Sequence, residues 1–196
     1  GAVSLNTTGS SAHATVVDGS GLNLGASTVG GNLSATATTG NMEDSGVLTI
    51  AGTSSFTTSA NNGTITLNNA NVFTGAVSFN TTGSTGHATV VDASGLNLAA
   101  SIVGGNLVAT ATTGDMEDSG VLTIAGTSSF TTSATDADIL LDNANAFTGA
   151  VALNTTGSTA HATVVDASGL NLAASSVGGN LVATATTGNI SDSGNL

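Results

Sequence analysis

The chain of 196 residues contains no Lys, Arg, Cys, Pro, Trp or Tyr, and its 12 acidic residues and three His give a formal net charge of −12. Because duplex binding depends on Lys and Arg that neutralise phosphates, this composition argues against a nucleic-acid partner, and it argues equally against an anionic membrane surface. No apolar stretch approaches the roughly 20 residues of a spanning helix, so we expect no membrane insertion.

The sequence repeats itself at a fixed interval. The segment GAVSLNTTGSSAHATVVDGSGLNL at Gly1 returns with few changes at Gly75 and at Gly149. We therefore divide the chain into repeat 1 (1–74), repeat 2 (75–148) and a partial repeat 3 (149–196), and we expect one continuous segment of a longer array. A fixed period is typical of stacked architectures in which each unit buries its apolar face against its neighbours.

Taken in chain order, each repeat consists of short runs in which apolar and polar residues alternate, separated by Gly, Asn or Asp. Runs of this kind predict β-strands. From repeat 2 into repeat 3 they are NLVATAT, VLTIAG, SSFTT, DILLDN, AVALN, HATVVD and GLNL. A helix is a poor alternative, since Thr, Ser, Asn and Gly are weak helix formers and no run places apolar residues at spacings of three and four.

Strands this short, joined by turns this tight, can pair their backbones by winding into coils stacked about 4.8 Å apart. The sequence therefore predicts an elongated parallel β-solenoid. Three strands per coil would give about three coils of roughly 25 residues per repeat, and four coils of about 19 residues fit the spacing as well.

Comparison of the repeats predicts which side chains point inward. Leu5, Phe79 and Leu153 occupy equivalent positions and remain apolar, which suits a core position. Ser34 is replaced by Val108 in repeat 2, which suits a position on the outer side of the alternation.

A short acidic segment recurs in each repeat, as NMEDSG, DMEDSG and NISDSG. Oxygen-rich clusters without cations suit calcium, the one cofactor that the sequence suggests. The candidate ligands are Glu43, Asp44, Asp115, Glu117 and Asp118. Alternatively, Asp44, Asp118 and Asp192, each followed by Ser-Gly, form Asx-turns that bond their own backbone, and we favour this interpretation.

One His recurs per repeat in the segment HATVVD, as His13, His87 and His161. In a three-coil repeat, equivalent His residues would lie about 14 Å apart along the axis, which is too far to share one metal ion. We expect each imidazole to be exposed or bonded to a turn.

Two further functions receive little support from the residues. Glycosidic cleavage requires convergent carboxylates, and the chain has neither Trp or Tyr to stack a sugar nor a GxSxG nucleophile elbow. Ice binding would require a Thr array on every coil, whereas the ATATT segment occurs once per repeat. We therefore expect no enzymatic activity and no ice binding.

The segment GNLVATATTGDMEDSGVLTIAGTSSFTTSATDADILLDNANAFTGAVALNTTG, which begins at Gly105, resembles the repeat region of large bacterial exoproteins of the filamentous haemagglutinin type, secreted by two-partner systems. The resemblance extends over the whole chain. It implies a right-handed parallel β-helix shaft that projects from the cell surface and serves in adhesion, aggregation or biofilm matrix.

On these grounds we expect an all-β protein, a right-handed parallel β-helix with about three coils per repeat, that forms the structural shaft of an exported adhesin or extracellular filament. The alternative is a calcium-dependent or carbohydrate-binding adhesive module within such a filament. We expect an extracellular or cell-surface location. The expected partners are neighbouring repeats or chains of the same protein, joined head to tail, together with extracellular polysaccharide or cell surfaces.

Overall fold

The structure, a computed structural model, describes all residues from Gly1 to Leu196 and contains 22 β-strands and no helix. The strands of repeat 1 are β1 (Ala14–Asp18), β2 (Leu22–Leu24), β3 (Ser27–Val29), β4 (Leu33–Ala37), β5 (Met42–Asp44), β6 (Leu48–Ile50), β7 (Ser54–Asn61) and β8 (Ile65–Phe73). Those of repeat 2 are β9 (Val77–Thr82), β10 (Ala88–Asp92), β11 (Leu96–Leu98), β12 (Ser101–Val103), β13 (Leu107–Ala111), β14 (Met116–Asp118), β15 (Leu122–Ile124), β16 (Ser128–Thr135) and β17 (Ile139–Phe147). Repeat 3 contributes β18 (Val151–Thr156), β19 (Ala162–Asp166), β20 (Leu170–Leu172), β21 (Leu181–Ala185) and β22 (Ile190–Asp192).

The strands form two sheets of 11 strands each, and every pairing is parallel and joins strands of adjacent coils. Paired residues are separated in sequence by about one coil, as in the pairing of Ala14 with Leu33. We call the sheet that contains β1 face 1 and the sheet that contains β2 face 2. The predicted all-β parallel β-solenoid is confirmed, with about 9 coils.

One repeat spans three and a half coils. In face 1 the series β1, β4, β7, β9, β11, β14, β17 and β19 advances by one coil at each pairing. It contains seven pairings, and β1 and β19 hold the same sequence, ATVVD, two repeats apart. A coil therefore has about 21 residues, which lies between the two lengths that the spacing allowed. The expectation of about three coils per repeat was too low by half a coil. Each coil has about 21 residues, which is fewer than the length expected for three full strands with their turns.

The half-integer count places successive repeats on opposite sides of the solenoid. The ATVVD strand of repeat 2 is β10, and it lies in face 2, whereas β1 and β19 lie in face 1. Every surface feature therefore alternates between the two faces along the axis. It returns to the same face only after seven coils, which is about 34 Å at about 4.8 Å per coil.

The core is a single apolar column between the two faces. Alternation within each strand buries one side chain in two, and 36 buried apolar residues form one cluster. The Phe56 ring stacks on Phe79 with a centroid separation of 6.0 Å and meets the edge of Phe73 at 5.8 Å. Phe79 and Leu153 are buried and Val108 is exposed, as the comparison of repeats predicted. No helix is present that could cross a bilayer.

Candidate functional site

The acidic segments are β-strands, and this separates their carboxylates. In β5 the middle residue, Glu43, faces solvent, whereas Met42 and Asp44 on either side of it are buried. The Glu43 carboxylate accepts a hydrogen bond of 3.0 Å from the Asn23 side chain one coil earlier. Glu117 repeats this contact with Asn97 at 2.8 Å. Glu43 and Asp44 therefore point in opposite directions and cannot share an ion.

Asp44 is bonded to the next coil. Its Oδ1 accepts from the backbone N–H of Asn68 at 3.0 Å, and its Oδ2 accepts from the Asn71 side chain at 2.7 Å and from the Asn69 N–H at 3.3 Å. The Asn71 side-chain oxygen in turn accepts from the Leu48 N–H at 2.8 Å. These contacts occupy both carboxylate oxygens and join residues that are remote in sequence.

Asp118 makes the equivalent contacts in repeat 2. Its Oδ2 accepts from the Asn145 side chain at 2.7 Å, and its Oδ1 accepts from the Asp142 N–H at 3.1 Å. The expectation that Asp44 and Asp118 form local Asx-turns was therefore wrong. Their donors belong to the following coil, because each Asp is the buried last residue of its strand and lies beside the middle of β8 or β17.

Asx-turns occur instead at the end of the ATVVD strands. Asp92 Oδ1 accepts from both the N–H and the hydroxyl of Ser94, at 2.9 and 2.8 Å, while its Oδ2 accepts from the Phe73 N–H of the preceding coil. Burial raises the pKa of Asp92, against the opposing effect of these hydrogen bonds. Asp18 forms the same turn with Ser20 but accepts no bond from a preceding coil, and the Ser20 N–H lowers the pKa of Asp18.

The three His residues bond to the next coil through the same ring nitrogen. Nδ1 of His13, His87 and His161 accepts from the backbone N–H of Asn32, Asn106 and Asn180 respectively, at 2.8 Å in each case. The prediction was that each His is exposed or bonded to a turn, and the structure shows the bond to the VGGN turn. The axial spacing expected for a three-coil repeat was wrong, because three and a half coils place His13 and His87 farther apart and on different faces.

Repeat 2 carries additional carboxylates beside His161, the His of repeat 3. A surface hollow of about 180 Å³ is lined by Asp115, Glu117, Asp138 and His161, among others. Asp115 Oδ1 accepts from the backbone N–H of Asp138 at 2.8 Å, and Asp138 Oδ1 accepts from the backbone N–H of His161 at 2.7 Å. In repeat 1 the equivalent of Asp138 is the neutral Thr64. The hollow is therefore more acidic than its counterpart one repeat earlier.

The nearby corner holds one further acidic residue, Asp136. Its carboxylate accepts from the Thr159 N–H at 3.1 Å, and this bond lowers the pKa of Asp136. Asp136 has a positive φ of 62°, as does its counterpart Asn62 at 64°. Asn and Asp are the residues that tolerate this left-handed backbone best after Gly. The left-handed backbone of this turn therefore explains why an Asn or an Asp occupies this corner.

Of the acidic residues that the sequence singled out, only Asp115 and Glu117 line the same hollow, and the others do not join them. Asp44 and Asp118 point inward and hold the following coil, Glu43 and Glu117 point outward, and Asp115 caps the edge of a turn. No group of three or more His, Cys, Asp or Glu residues is arranged to hold a metal ion. The hydrogen bonds of Asp44, Asp115 and Asp118 instead connect one coil to the next.

The outer surfaces of the two faces are poor in charge. On face 1, one row of outward positions runs through adjacent coils as Val17, Thr36, Thr57 and Asn80. The equivalent row on face 2 is Val91, Thr110, Thr131 and Asn154. Neighbouring positions in such a row lie about 4.8 Å apart. The surface along these rows is made mainly of hydroxyl, methyl and amide groups.

A family model described as repeats of unknown function (DUF5649) matches residues 10–80, 85–154 and 159–196. The chain belongs to this family. Each matched segment of the DUF5649 repeat begins two or three residues before a His of the HATVVD segment. No curated protein and no solved structure matches the chain.

The residues that sequence reasoning missed are the corner Asn residues of the DUF5649 repeat. Asn71 and Asn145 are fully buried, although Asn is usually exposed. The segment NNANVF and its counterpart DNANAF offered a signal. Because side chains alternate along a strand, an Asn two residues before a buried Phe points to the same inward side. Nothing in the spacing showed that its partner would be Asp44 or Asp118 in the preceding coil.

Proposed function

We propose that this chain is the structural shaft of an exported bacterial surface adhesin or extracellular filament, of the filamentous haemagglutinin type that its repeats resemble. The shaft carries a binding segment away from the cell and serves attachment, aggregation or biofilm matrix. Its location is extracellular or at the cell surface, after two-partner secretion. Its role is mechanical and non-catalytic.

The observation that carries this proposal is the continuous connection of each coil to the next. Nine strands of face 1 pair in series from β1 to β21, and nine strands of face 2 pair from β2 to β22. The Asp–Asn contacts at the corners and the His–Asn contacts at the edges add bonds between coils in repeat after repeat. A load applied along the axis is therefore distributed over many parallel hydrogen bonds.

The distribution of side chains also supports a shaft. The buried carboxylates of Asp44 and Asp118 accept bonds that hold the coils together, so they are engaged in structure. The pockets are surface hollows, and the largest has a volume of about 350 Å³. The partners we propose are neighbouring repeats or copies of the chain joined head to tail, with polysaccharide or cell surfaces contacted by the filament as a whole.

The proposal is tested by changing the number of repeats and the surface chemistry of the repeats in two separate series of variants of the full protein. In one series the full protein carries fewer or more copies of the repeat, and cell attachment and aggregation are measured. In a matched series the repeat number is unchanged and the outward residues Glu43 and Glu117 are replaced by Gln. A shaft predicts that attachment depends on repeat number and is insensitive to the Gln variants.

The opposite result supports the alternative function. If attachment is unaffected by repeat number but is lost in the Glu43→Gln and Glu117→Gln variants, the chain is a calcium-dependent or carbohydrate-binding adhesive module. Circular dichroism of each variant shows whether the β-solenoid is retained, so that a loss of folding is not mistaken for a loss of binding.

A further inference from the structure

Each repeat contains one inter-coil hydrogen bond whose acceptor is an imidazole nitrogen, an atom that can take up a proton. The acceptor is the imidazole Nδ1 of His13, His87 and His161, and the donor is the backbone N–H of an Asn in the next coil. A ring nitrogen that accepts a hydrogen bond carries no proton, so these imidazoles are neutral and hold their proton on Nε2.

The ring lies directly against the next coil's backbone. A Cβ added at Gly31 or Gly179 would stand 2.6 Å from the imidazole Nδ1, and one added at Gly105 would be closer still. The second Gly of the VGGN turn is therefore required for the imidazole to approach the backbone N–H. Once Nδ1 is protonated, its N–H faces the N–H of Asn106 and the bond is lost.

Other coils make the same kind of bond with a group that does not titrate near neutral pH. Asn41 Oδ1 accepts from the Thr64 N–H at 3.0 Å, Asn32 Oδ1 from the Thr53 N–H at 3.0 Å, and Asn106 Oδ1 from the Thr127 N–H at 2.9 Å. An Asn side chain thus suffices as an acceptor at these edges. His differs from Asn here in its response to pH.

We propose that the His of each repeat is an acid-sensitive joint between coils. The neutral ring ties the VGGN turn to the preceding coil. The protonated ring cannot accept this bond, so protonation loosens the turn in every repeat of the array.

The charged groups around the three His residues differ. His161 shares its hollow with Asp115, Glu117 and Asp138. At His87 the positions that correspond to Asp115 and Asp138 are the neutral Asn41 and Thr64. Glu43 corresponds to Glu117, and each of the two Glu residues lies two coils before the strand that follows its His. No carboxylate contacts the His13 ring among the hydrogen bonds of the structure. Attraction to carboxylates offsets part of the lost bond at His161, so His87 is the clearest place to observe the effect.

The test compares the chain with the triple variant His13→Asn, His87→Asn and His161→Asn. Hydrogen exchange of the Asn106 amide is measured at pH 7.5 and 5.0 and corrected for the intrinsic rate. We expect protection to fall by about tenfold on acidification in the chain, as the loss of one hydrogen bond implies, and to remain unchanged in the triple variant. Unchanged protection in the chain, or an equal fall in the variant, overturns the proposal.

A second measurement does not depend on the folding of the variant. Nitrogen chemical shifts of the His87 ring in the unsubstituted chain should show the neutral form with its proton on Nε2 at pH 7.5. They should change to the imidazolium form over the same pH range in which Asn106 loses protection. A neutral ring protonated on Nδ1, or two transitions at different pH, contradicts the proposal. These outcomes do not depend on whether the chain is a shaft.

Discussion

Asn71 donates a hydrogen bond of 2.7 Å to the carboxylate of Asp44, which belongs to the preceding coil, and both side chains are buried. The contact is repeated between Asn145 and Asp118 at the same distance. In a chain without Lys or Arg, such carboxylates must be satisfied by uncharged donors, which are amide and backbone N–H groups at Asp44. The corners of the solenoid are therefore polar joints that depend on the neutrality of Asn.

A charge at position 71 tests that dependence. In Asn71→Asp, two buried carboxylates would face each other with no cation in the chain, and we expect a loss of about 3 kcal/mol or more in the free energy of unfolding at pH 7. The loss should shrink in acid, where the pair can share a proton. Chemical denaturation at pH 7 and at an acidic pH measures both effects.

Asn68→Asp is the matched control for this variant. Asn68 is exposed on the same strand, and repeat 2 already carries Asp142 at the equivalent position. We expect a change of less than about 0.5 kcal/mol. If both variants are equally tolerated, the Asp44–Asn71 contact is not a structural joint.

Two buried hydroxyl groups, those of Ser54 and Ser128, make no hydrogen bond. Removing such a group removes its desolvation cost, so we expect Ser54→Ala and Ser128→Ala each to raise the free energy of unfolding by about 1 kcal/mol. Thermal unfolding of each variant tests this prediction.

Ser101 is the contrasting position. Its hydroxyl accepts from the Phe79 N–H at 3.0 Å and donates to the Ala99 carbonyl at 2.8 Å. We expect Ser101→Ala to destabilise the fold by about 1–3 kcal/mol, because a buried N–H would lose its acceptor. Equal effects of Ser54→Ala and Ser101→Ala would contradict the assignment of bonded and unbonded hydroxyls.

Two carboxyls in the same turn motif should titrate differently. The pKa of Asp92 is raised by burial, and the pKa of Asp18 is lowered by the Ser20 N–H. Carbon chemical shifts of the two carboxyls should show Asp92 titrating at the higher pH. If Asp18 titrates at the higher pH, the packing of β8 against Asp92 is wrong.

The sign of the effect on stability follows from the Asp92 shift. Between the ordinary carboxyl pKa and the raised pKa of Asp92, the folded chain binds more protons at this site than the unfolded chain. The contribution of Asp92 to the free energy of unfolding therefore falls as the pH rises through that interval. Asp18, with its lowered pKa, contributes stability that is lost as the pH falls.

Calcium should have no effect on the stability of the chain. Both oxygens of Asp44 and of Asp118 already accept hydrogen bonds, and Glu43 and Glu117 point to the opposite side of their strands. We expect chelation, and then addition of calcium, to leave the unfolding temperature unchanged. A rise of many degrees with calcium, abolished in Glu43→Gln with Glu117→Gln, would show a site on the outer surface.

The architecture could be predicted from the sequence because it depends on periodicity. Alternation in runs such as NLVATAT identifies a strand and its inward side, and the repeat identifies the stacking. The number of coils could not be obtained in the same way, since it depends on corners where strands merge. β5 and β6 both pair with the single strand β8, while β9 pairs with both β11 and β12. These mergers produce the half-integer count.

The roles of the polar residues were harder to predict because their partners are remote in sequence. The donors to Asp44 lie in the following coil, and a shift of one residue in coil length would change them. Local motifs such as Asp-Ser-Gly predict an Asx-turn from neighbouring residues alone. In this fold the Asx-turn belongs to Asp92, whose Ser lies two residues later, whereas the Ser that follows Asp44 is its immediate neighbour.

The relation between coils and repeats is tested most directly by distances between spin labels. The chain contains no Cys, so pairs introduced at outward positions are the only thiols. Thr15 and Thr163 are equivalent residues two repeats apart on face 1. Seven coils predict a distance of about 34 Å between them, and Thr89, on face 2, should lie about halfway along the axis.

The competing coil counts give different distances for the same pair. Three coils per repeat would place the labels at positions 15 and 163 about 29 Å apart, and four coils per repeat would place them about 38 Å apart, with the label at position 89 on the same face in both cases. The continuous solenoid with three and a half coils per repeat predicts the intermediate distance, with the label at position 89 displaced to the opposite face. Either the shorter or the longer of the two competing distances would contradict it.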